Sequence, residues 1–194
     1  DKLKRISFLA YENPIGEYLF LRGFYTPNVV GKLLGIPEKK VAQLLQQYTL
    51  PTEVQQLNAA DRISWFETNI YMQNQLLKDT DYMSMAHGVE VRVPFLDQDV
   101  VATALQLPTQ RRFSEQPKSL LIAAYRKVLP EAIWNRPKKG FTFPFQHWFA
   151  QYQPMLNPQH YQGNPQALAL LKQFKQQKLH WSKLFAIYQV YYRA

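Results

Sequence analysis

A chain of 194 residues with 46% apolar and 14% aromatic side chains can bury one real core, so disorder is not its default state. The formal charge is +9, no apolar run approaches the length of a bilayer crossing and no secretory pattern opens the sequence, so membrane spans and export are not expected and a cytoplasmic setting is. Cysteine is absent, which removes disulfides, thiolate metal sites and a cysteine nucleophile from this chain. The first residue is Asp1 rather than Met, as expected of a piece of something longer. Charge is uneven: residues 1–97 hold 10 Lys/Arg against 11 Asp/Glu, and residues 98–194 hold 13 against 3. Such a basic half suits a polyanion, whether nucleic acid, an acidic partner domain or a nucleotide polyphosphate.

In chain order, Pro14 and Gly16 break the basic, aromatic opening, and a short helix is expected from about Gly16 to Arg22. Thr26-Pro27 starts the next helix, with a capping hydroxyl followed by proline at the first helical position. Gly35 ends it, Pro37 begins another that runs to Tyr48, and Pro51 closes the pair. The Gly31–Gly35 spacing reads as a close turn. Asn58, with Asp61 three residues on, caps a helix whose apolar face is Ile63, Phe66, Ile70 and Leu77. Asp97 caps a further helix with a buried stripe of Val100, Val101, Ala104 and Leu105, and Pro108 stops it. Pro117 opens the cleanest amphipathic pattern, with Leu120, Leu121, Ala124, Tyr125 and Val128 on one face. Lys118 falls in that helix's first turn, where the helix dipole disfavours a cation, so an anion nearby is expected. Residues 135–147, with Pro137, Gly140 and Pro144, read as an ordered aromatic loop. Asn164-Pro165 starts a helix to about Gln176, and the last helix carries an aromatic stripe of core or interface type.

The stretch from Tyr71 to Asp97 is unlike ordinary scaffold. Its first part has helical spacing, with Gly88 where the helix should stop, and His87 reads as a satisfied core histidine. Val89-Glu90-Val91-Arg92-Val93-Pro94 then alternates apolar and charged residues and runs into a proline that denies Val93 a helical conformation. Side chains two apart on an extended segment share a face, so Glu90 and Arg92 aim at one place. They serve either as a buried ion pair or as a charged pair acting on something else. No G-x-G occurs, the four histidines show no ligand spacing, and no metal site is expected within this chain.

Two blocks carry a resemblance. Leu76–Asp81, Ser84–His87 and Glu90–Asp97 resemble the C-terminal synthetase domain of the glutamine-hydrolysing asparagine synthetases, as does Asn135-Arg136-Pro137-Lys138-Lys139-Gly140-Phe141 further on. The resemblance covers roughly residues 60–150. It departs from the common pattern at Tyr82, where the family has a basic residue after the aspartate. It implies a mostly α fold: the helical C-terminal half of an adenine-nucleotide-hydrolase-like, pyrophosphate-loop α/β synthetase domain, with the parallel-sheet half absent. The family's Ser-Gly-Gly-x-Asp-Ser loop, its Ser-Gly-Glu-Gly segment and its glutaminase domain do not occur here.

The resemblance further implies that the whole enzyme adenylates aspartate with ATP and Mg²⁺ and lets ammonia displace AMP, and that this piece alone is inactive. ATP and Mg²⁺ would need the upstream part. By the resemblance Lys138 contacts the phosphates and is the catalytic candidate. A fixed counter-charge for departing pyrophosphate is worth about 3–4 kcal/mol, or roughly 10²–10³ in rate. Arg92, Glu90, Lys118 and Lys139 are the substrate-binding candidates, with Arg92 orienting carboxylates of the absent glycine-rich segment. The implied partners are aspartate, ATP, the N-terminal glutaminase domain and the pyrophosphate-loop half of the same polypeptide. A homodimer is allowed, and neither membrane nor nucleic acid is expected. Two rivals remain: an amidotransferase acting on another carboxylate, and a basic helical module that binds nucleic acid or a protein.

Overall fold

Capping and turn residues set most of the helix ends. In this computed structural model the described residues are 2–11, 13–114, 116–137, 140 and 143–192. They form helices joined by turns, and no strand occurs among them. Lys138, Lys139 and Phe141 of the second block lie outside the described residues. Two units are distinct: Asp1–Thr49 with Lys139–Ala194, and Leu50–Lys138.

The first unit owns the dry core. Its N-terminal helices run Ile15–Arg22, Pro27–Leu34 and Glu38–Gln46, the second opened by Pro27 and closed by Gly35 at φ 66°. Gly31 is required by close approach: a Cβ there would lie 2.7 Å from the Ile36 carbonyl oxygen, so the expected tight turn is present. The Pro165–Lys175 helix is capped by Asn164, whose side chain accepts from the Ala167 amide and donates to the carbonyls of Lys32 and Leu33. Its buried face is Ala167, Leu170, Leu171 and Phe174. Against it lie Leu184, Ile187 and Tyr188 of the Trp181–Tyr192 helix, together with Met155 and Tyr161. Half-buried Tyr191 donates to the Leu33 carbonyl (2.6 Å) and buried Tyr161 to that of Met155 (2.8 Å), so both rings satisfy their hydroxyls. The expected aromatic stripe packs against the core, with Tyr188 buried, Trp181, Phe185 and Tyr191 half-buried and Tyr192 exposed; Phe145 and Trp181 ring centres are 4.6 Å apart, and Phe149 stacks on Phe185 at 5.2 Å.

The second unit starts with Thr52–Gln55 and a long helical rod from Ala59 to Met85. Asn58 caps the rod through the Asp61 amide, as its spacing predicts. From Glu67 to Leu77 the turns widen to the i→i+5 pattern, so the expected 3.6-residue stripe does not persist. Phe66 is fully buried, while Ile63, Ile70 and Leu77 are half-buried. Helices Gln98–Gln106, Ser119–Tyr125 and several single turns follow.

Burial in the second unit ends early. Its buried apolar residues are Leu50, Val54 and Phe66, and from Gln73 to Lys118 nearly every described side chain is half-buried or exposed. The stripes expected to be buried, Val100/Val101/Leu105 and Leu120/Leu121/Tyr125/Val128, are instead uncovered, with Val128 77% exposed. The amphipathic pattern is real, but the surface that would cover it is not supplied by these residues.

Candidate functional site

The site is built on the end of the rod and the extended segment after it. Gly88, at φ 64°, closes the Lys78–Met85 helix: the Val89 amide donates to the Ser84 carbonyl (2.9 Å) and the Gly88 amide to that of Met85 (3.0 Å). This double closure turns the chain at the glycine and releases it into residues 89–93, which have no regular structure. Val93 is extended ahead of Pro94, and Pro94–Leu96 makes one tight turn. Asp97 then accepts from the Asp99 amide at 3.0 Å and starts the next helix. Stop, extended elbow and restart thus agree with the residues that predict them.

Glu90 and Arg92 share a face of that elbow. Arg92 Nε donates to Glu90 Oε1 at 3.0 Å. The pair is not a buried staple, since the two side chains are 83% (Arg92) and 72% (Glu90) exposed. In water such a pair is worth roughly 0–1 kcal/mol, too little to be the reason for the elbow. The valines between them and Phe95, 63% exposed, are likewise uncovered. Just upstream, Tyr82, Met83 and Met85 are exposed, and the hydroxyls of Thr80 and Ser84 return to the carbonyls of Leu76 and Asp81 of their own helix. His87 is also exposed, contrary to the reading of a core histidine, because the helix has ended before it.

Lys118 is displaced from its expected place. The helix begins at Ser119, and Lys118 precedes it as a left-handed N-cap with φ 64°. For a residue with a Cβ this conformation costs roughly 1–2 kcal/mol. The Ser114 and Ser119 hydroxyls lie 2.5 Å apart across this turn, and the Ile122 amide donates to the Lys118 carbonyl. Among the described residues no hydrogen bond or ion pair joins Lys118 to Glu90 or Arg92. The structure therefore pairs two of the five candidates and leaves Lys118 apart. Lys138 and Lys139 are outside the described residues.

One polar cluster has no counterpart in the sequence reading. Asp61 accepts from Arg112 (2.6 Å), from the Thr109 hydroxyl (2.7 Å) and from Asn58 Nδ2 (2.7 Å), while Arg112 Nε donates to the Leu107 carbonyl. Chiefly the Thr109 hydrogen bond, helped by Asn58 and Arg112 and opposed by burial, holds the Asp61 carboxyl below its ordinary range. The only sequence signal was the Asn58–Asp61 spacing. Both oxygens of this carboxylate are engaged, so the cluster is a strut that fixes the start of the rod against the turn after Pro108.

No group of three His, Asp or Glu able to hold a metal occurs among the described residues. Among them, no helix is long and apolar enough to cross a membrane. An uncovered apolar surface thus surrounds an exposed charged elbow on a unit with few buried side chains.

The family model of asparagine synthase matches residues 14–180, and the chain belongs to that family. It is 29% identical over 161 residues to asparagine synthetase [glutamine-hydrolyzing] 1 of Bacillus subtilis, an alignment spanning 75% of this chain and 25% of the relative. It is 33% identical over 88 residues to a putative asparagine synthetase [glutamine-hydrolyzing] of Mycobacterium bovis, covering 45% of this chain and 14% of that protein. With asparagine synthetase [glutamine-hydrolyzing] of Gallus gallus the identity is 33% over 87 residues, 41% of this chain and 16% of the relative. The chain thus spans about a quarter or less of the length of these relatives. No solved structure gives a significant match. The helical architecture is that of a helical part of an asparagine synthase domain.

Proposed function

We propose that this chain is the C-terminal portion of a glutamine-hydrolysing asparagine synthetase, inactive by itself. In the whole protein, the aspartate carboxylate attacks the α-phosphorus of ATP and pyrophosphate leaves. Ammonia drawn from glutamine then adds to the acyl carbon, and AMP departs with the bond it held to that carbon. Glutamine, having taken up water to release the ammonia, leaves as glutamate, and asparagine, AMP and pyrophosphate are the other products. The observation that carries this reading is the uncovered apolar surface around Glu90 and Arg92, within the stretch from Gln73 to Lys118 where almost nothing is buried. A half-domain buries such a surface on its other half. The names of the relatives support aspartate as the acceptor.

In this reading Lys138 supplies the fixed positive charge toward departing pyrophosphate, and Lys139, next to it in the sequence, contributes to substrate binding. Arg92, carried by the elbow with Glu90, orients carboxylates on the covering half of the domain, and Lys118 faces a phosphate or carboxylate. That covering half would hold ATP and Mg²⁺. A glutaminase domain on the same polypeptide, a homodimer and a cytoplasmic setting complete the proposal.

The test is ATP–pyrophosphate exchange by the full-length parent protein. Exchange that requires aspartate supports the proposal. Exchange driven only by another carboxylate replaces aspartate with that acceptor, and absence of exchange with any carboxylate refutes the ligase reading.

A further inference from the structure

The stretch from Ser119 to Trp134 carries an apolar face and a cationic edge. Leu120, Leu121, Tyr125, Val128, Leu129 and Ile133 are all exposed. Apolar side chains gathered this closely on a surface mark a contact site. The edge is basic: residues 116–130 include Lys118, Arg126 and Lys127 and no Asp or Glu. Among the described residues no ion pair holds Arg126 or Lys127. Glu131, the next carboxylate along the chain, accepts from Asn135 Nδ2 at 2.9 Å.

A second, independent feature lies in the same stretch. The Trp134 indole N–H is buried and has no hydrogen-bond acceptor. A buried donor left in this way is costly, and native structures seldom keep one that never meets a partner. The Arg126 guanidinium lies over the same ring, its carbon 5.9 Å from the ring centre. A carboxylate brought here would take a charge-assisted hydrogen bond from Arg126 and give the indole its acceptor. Apolar side chains flanked by carboxylates are what an acidic amphipathic helix presents to a groove or face. An anionic bilayer fits less well. An interfacial helix lays several turns of apolar face along one axis, whereas this face is divided among Ser119–Tyr125, a turn and Glu131–Trp134.

We infer that residues 119–134 dock an amphipathic helix with Asp or Glu on its flanks. Its apolar face lies on Leu121, Tyr125 and Val128, and one of its carboxylates is taken by Arg126 and the Trp134 N–H. The inference deepens the proposed function and rests on it for the source of that helix, the covering half of the same polypeptide.

The probe is a synthetic helical peptide with leucines along one face and glutamates on both flanks, titrated into the full 194-residue chain at constant ionic strength. The expected result is saturable binding with a Kd below about 100 μM. The same peptide with lysine in place of glutamate should bind at least tenfold more weakly, about tenfold being the least that charge complementarity should supply. In proton–nitrogen correlation spectra, the indole resonance that vanishes in Trp134→Phe should move on saturation, and those of Trp65, Trp148 and Trp181 should not. Val128→Ser and Arg126→Gln, both at exposed positions, should each weaken binding roughly tenfold with melting unchanged. Lys172→Gln, in the other unit, should leave binding as it is. Equal binding of the lysine peptide, a stationary Trp134 resonance, full-strength binding by both face variants, or preference for phosphatidylglycerol vesicles over the peptide would each overturn the assignment. Aspartate-dependent exchange by the parent without peptide binding sinks this inference alone, and peptide binding without exchange sinks only the ligase reading.

Discussion

Arg112 Nη2 lies 2.6 Å from Asp61 Oδ1, across 51 residues of sequence, and both side chains are at least four-fifths shielded from solvent. The contact ties the first turn of the long rod to the turn after Pro108, and Thr109 and Asn58 complete the shell of donors around the carboxylate. Removing Arg112 leaves a shielded carboxylate short of its charged partner, whereas removing Asp61 strands the guanidinium. Both Arg112→Met and Asp61→Ala should therefore lower the urea midpoint of the second unit. The double variant should lose less than the two single losses added together. Strict additivity in the double-mutant cycle would show that the two groups do not act as a pair.

The same cluster carries a pH dependence. Asp61 has its carboxyl held below the ordinary 3.8, so the folded state binds this proton less readily than the unfolded chain does. Its stabilisation is complete above the unfolded value and is lost as pH falls through the folded one. The stability gap between the natural chain and Asp61→Asn should be widest near pH 6 and should close below about pH 4. A gap that stays constant down to pH 2.5 would contradict the assignment.

Glu90 and Arg92 separate stability from function. Being exposed, the pair should contribute roughly 0–1 kcal/mol, so Arg92→Ala should leave the melting of this chain nearly unchanged. If the proposed function holds, the same substitution in the full-length parent should lower the rate of amide formation tenfold or more, because in that proposal the guanidinium meets the covering half. If stability falls by several kcal/mol instead, the pair is structural.

Lys118 and Gly88 occupy similar left-handed positions, and the residue chosen at each differs in consequence. Lys118→Gly should stabilise the isolated chain by about 1 kcal/mol by relieving a lysine held at φ 64°. In the parent enzyme it should raise the KM for an anionic substrate. Gly88→Ala meets open space and should cost only the backbone term of about 1–2 kcal/mol. Asn, which tolerates this conformation, should recover part of that loss. At Gly31, where a Cβ approaches the Ile36 carbonyl, Asn should recover nothing.

What was legible in the sequence was local. Asn58, Asp97 and Asn164 cap the helices their spacing predicts, and Gly35 and Gly88 end theirs, because each acts through a backbone group two to five residues away. The elbow at 89–93 was legible because Pro94 and the β-branched valines restrict their own backbone. The strut at Asp61 was not, since nothing near either residue signals a partner 51 positions off. The widening of the rod from Glu67 to Leu77 was hidden by an apolar pattern that fits the ordinary helical period. Lys118 was misplaced because Pro117 suggests a helix start that occurs two residues later. The stripe at Val100–Leu105 was expected to be buried and is exposed, as is the face from Leu120 to Val128, because periodicity marks an apolar face but cannot say what covers it. The roles given to Glu90, Arg92, Lys118, Lys138 and Lys139 rest on the two family-matching blocks alone, and Lys138 and Lys139 lie outside the described residues.

The central claim is that this chain is half of a ligase site, with Lys138 as its contribution to the departing phosphates. Its most direct test is aspartate-dependent ATP–pyrophosphate exchange by the full-length parent carrying Lys138→Ala, with the variant's melting temperature measured in parallel. The account predicts exchange reduced about 10²–10³-fold with melting unchanged. Exchange at the parent's full rate by a normally folded variant would contradict it.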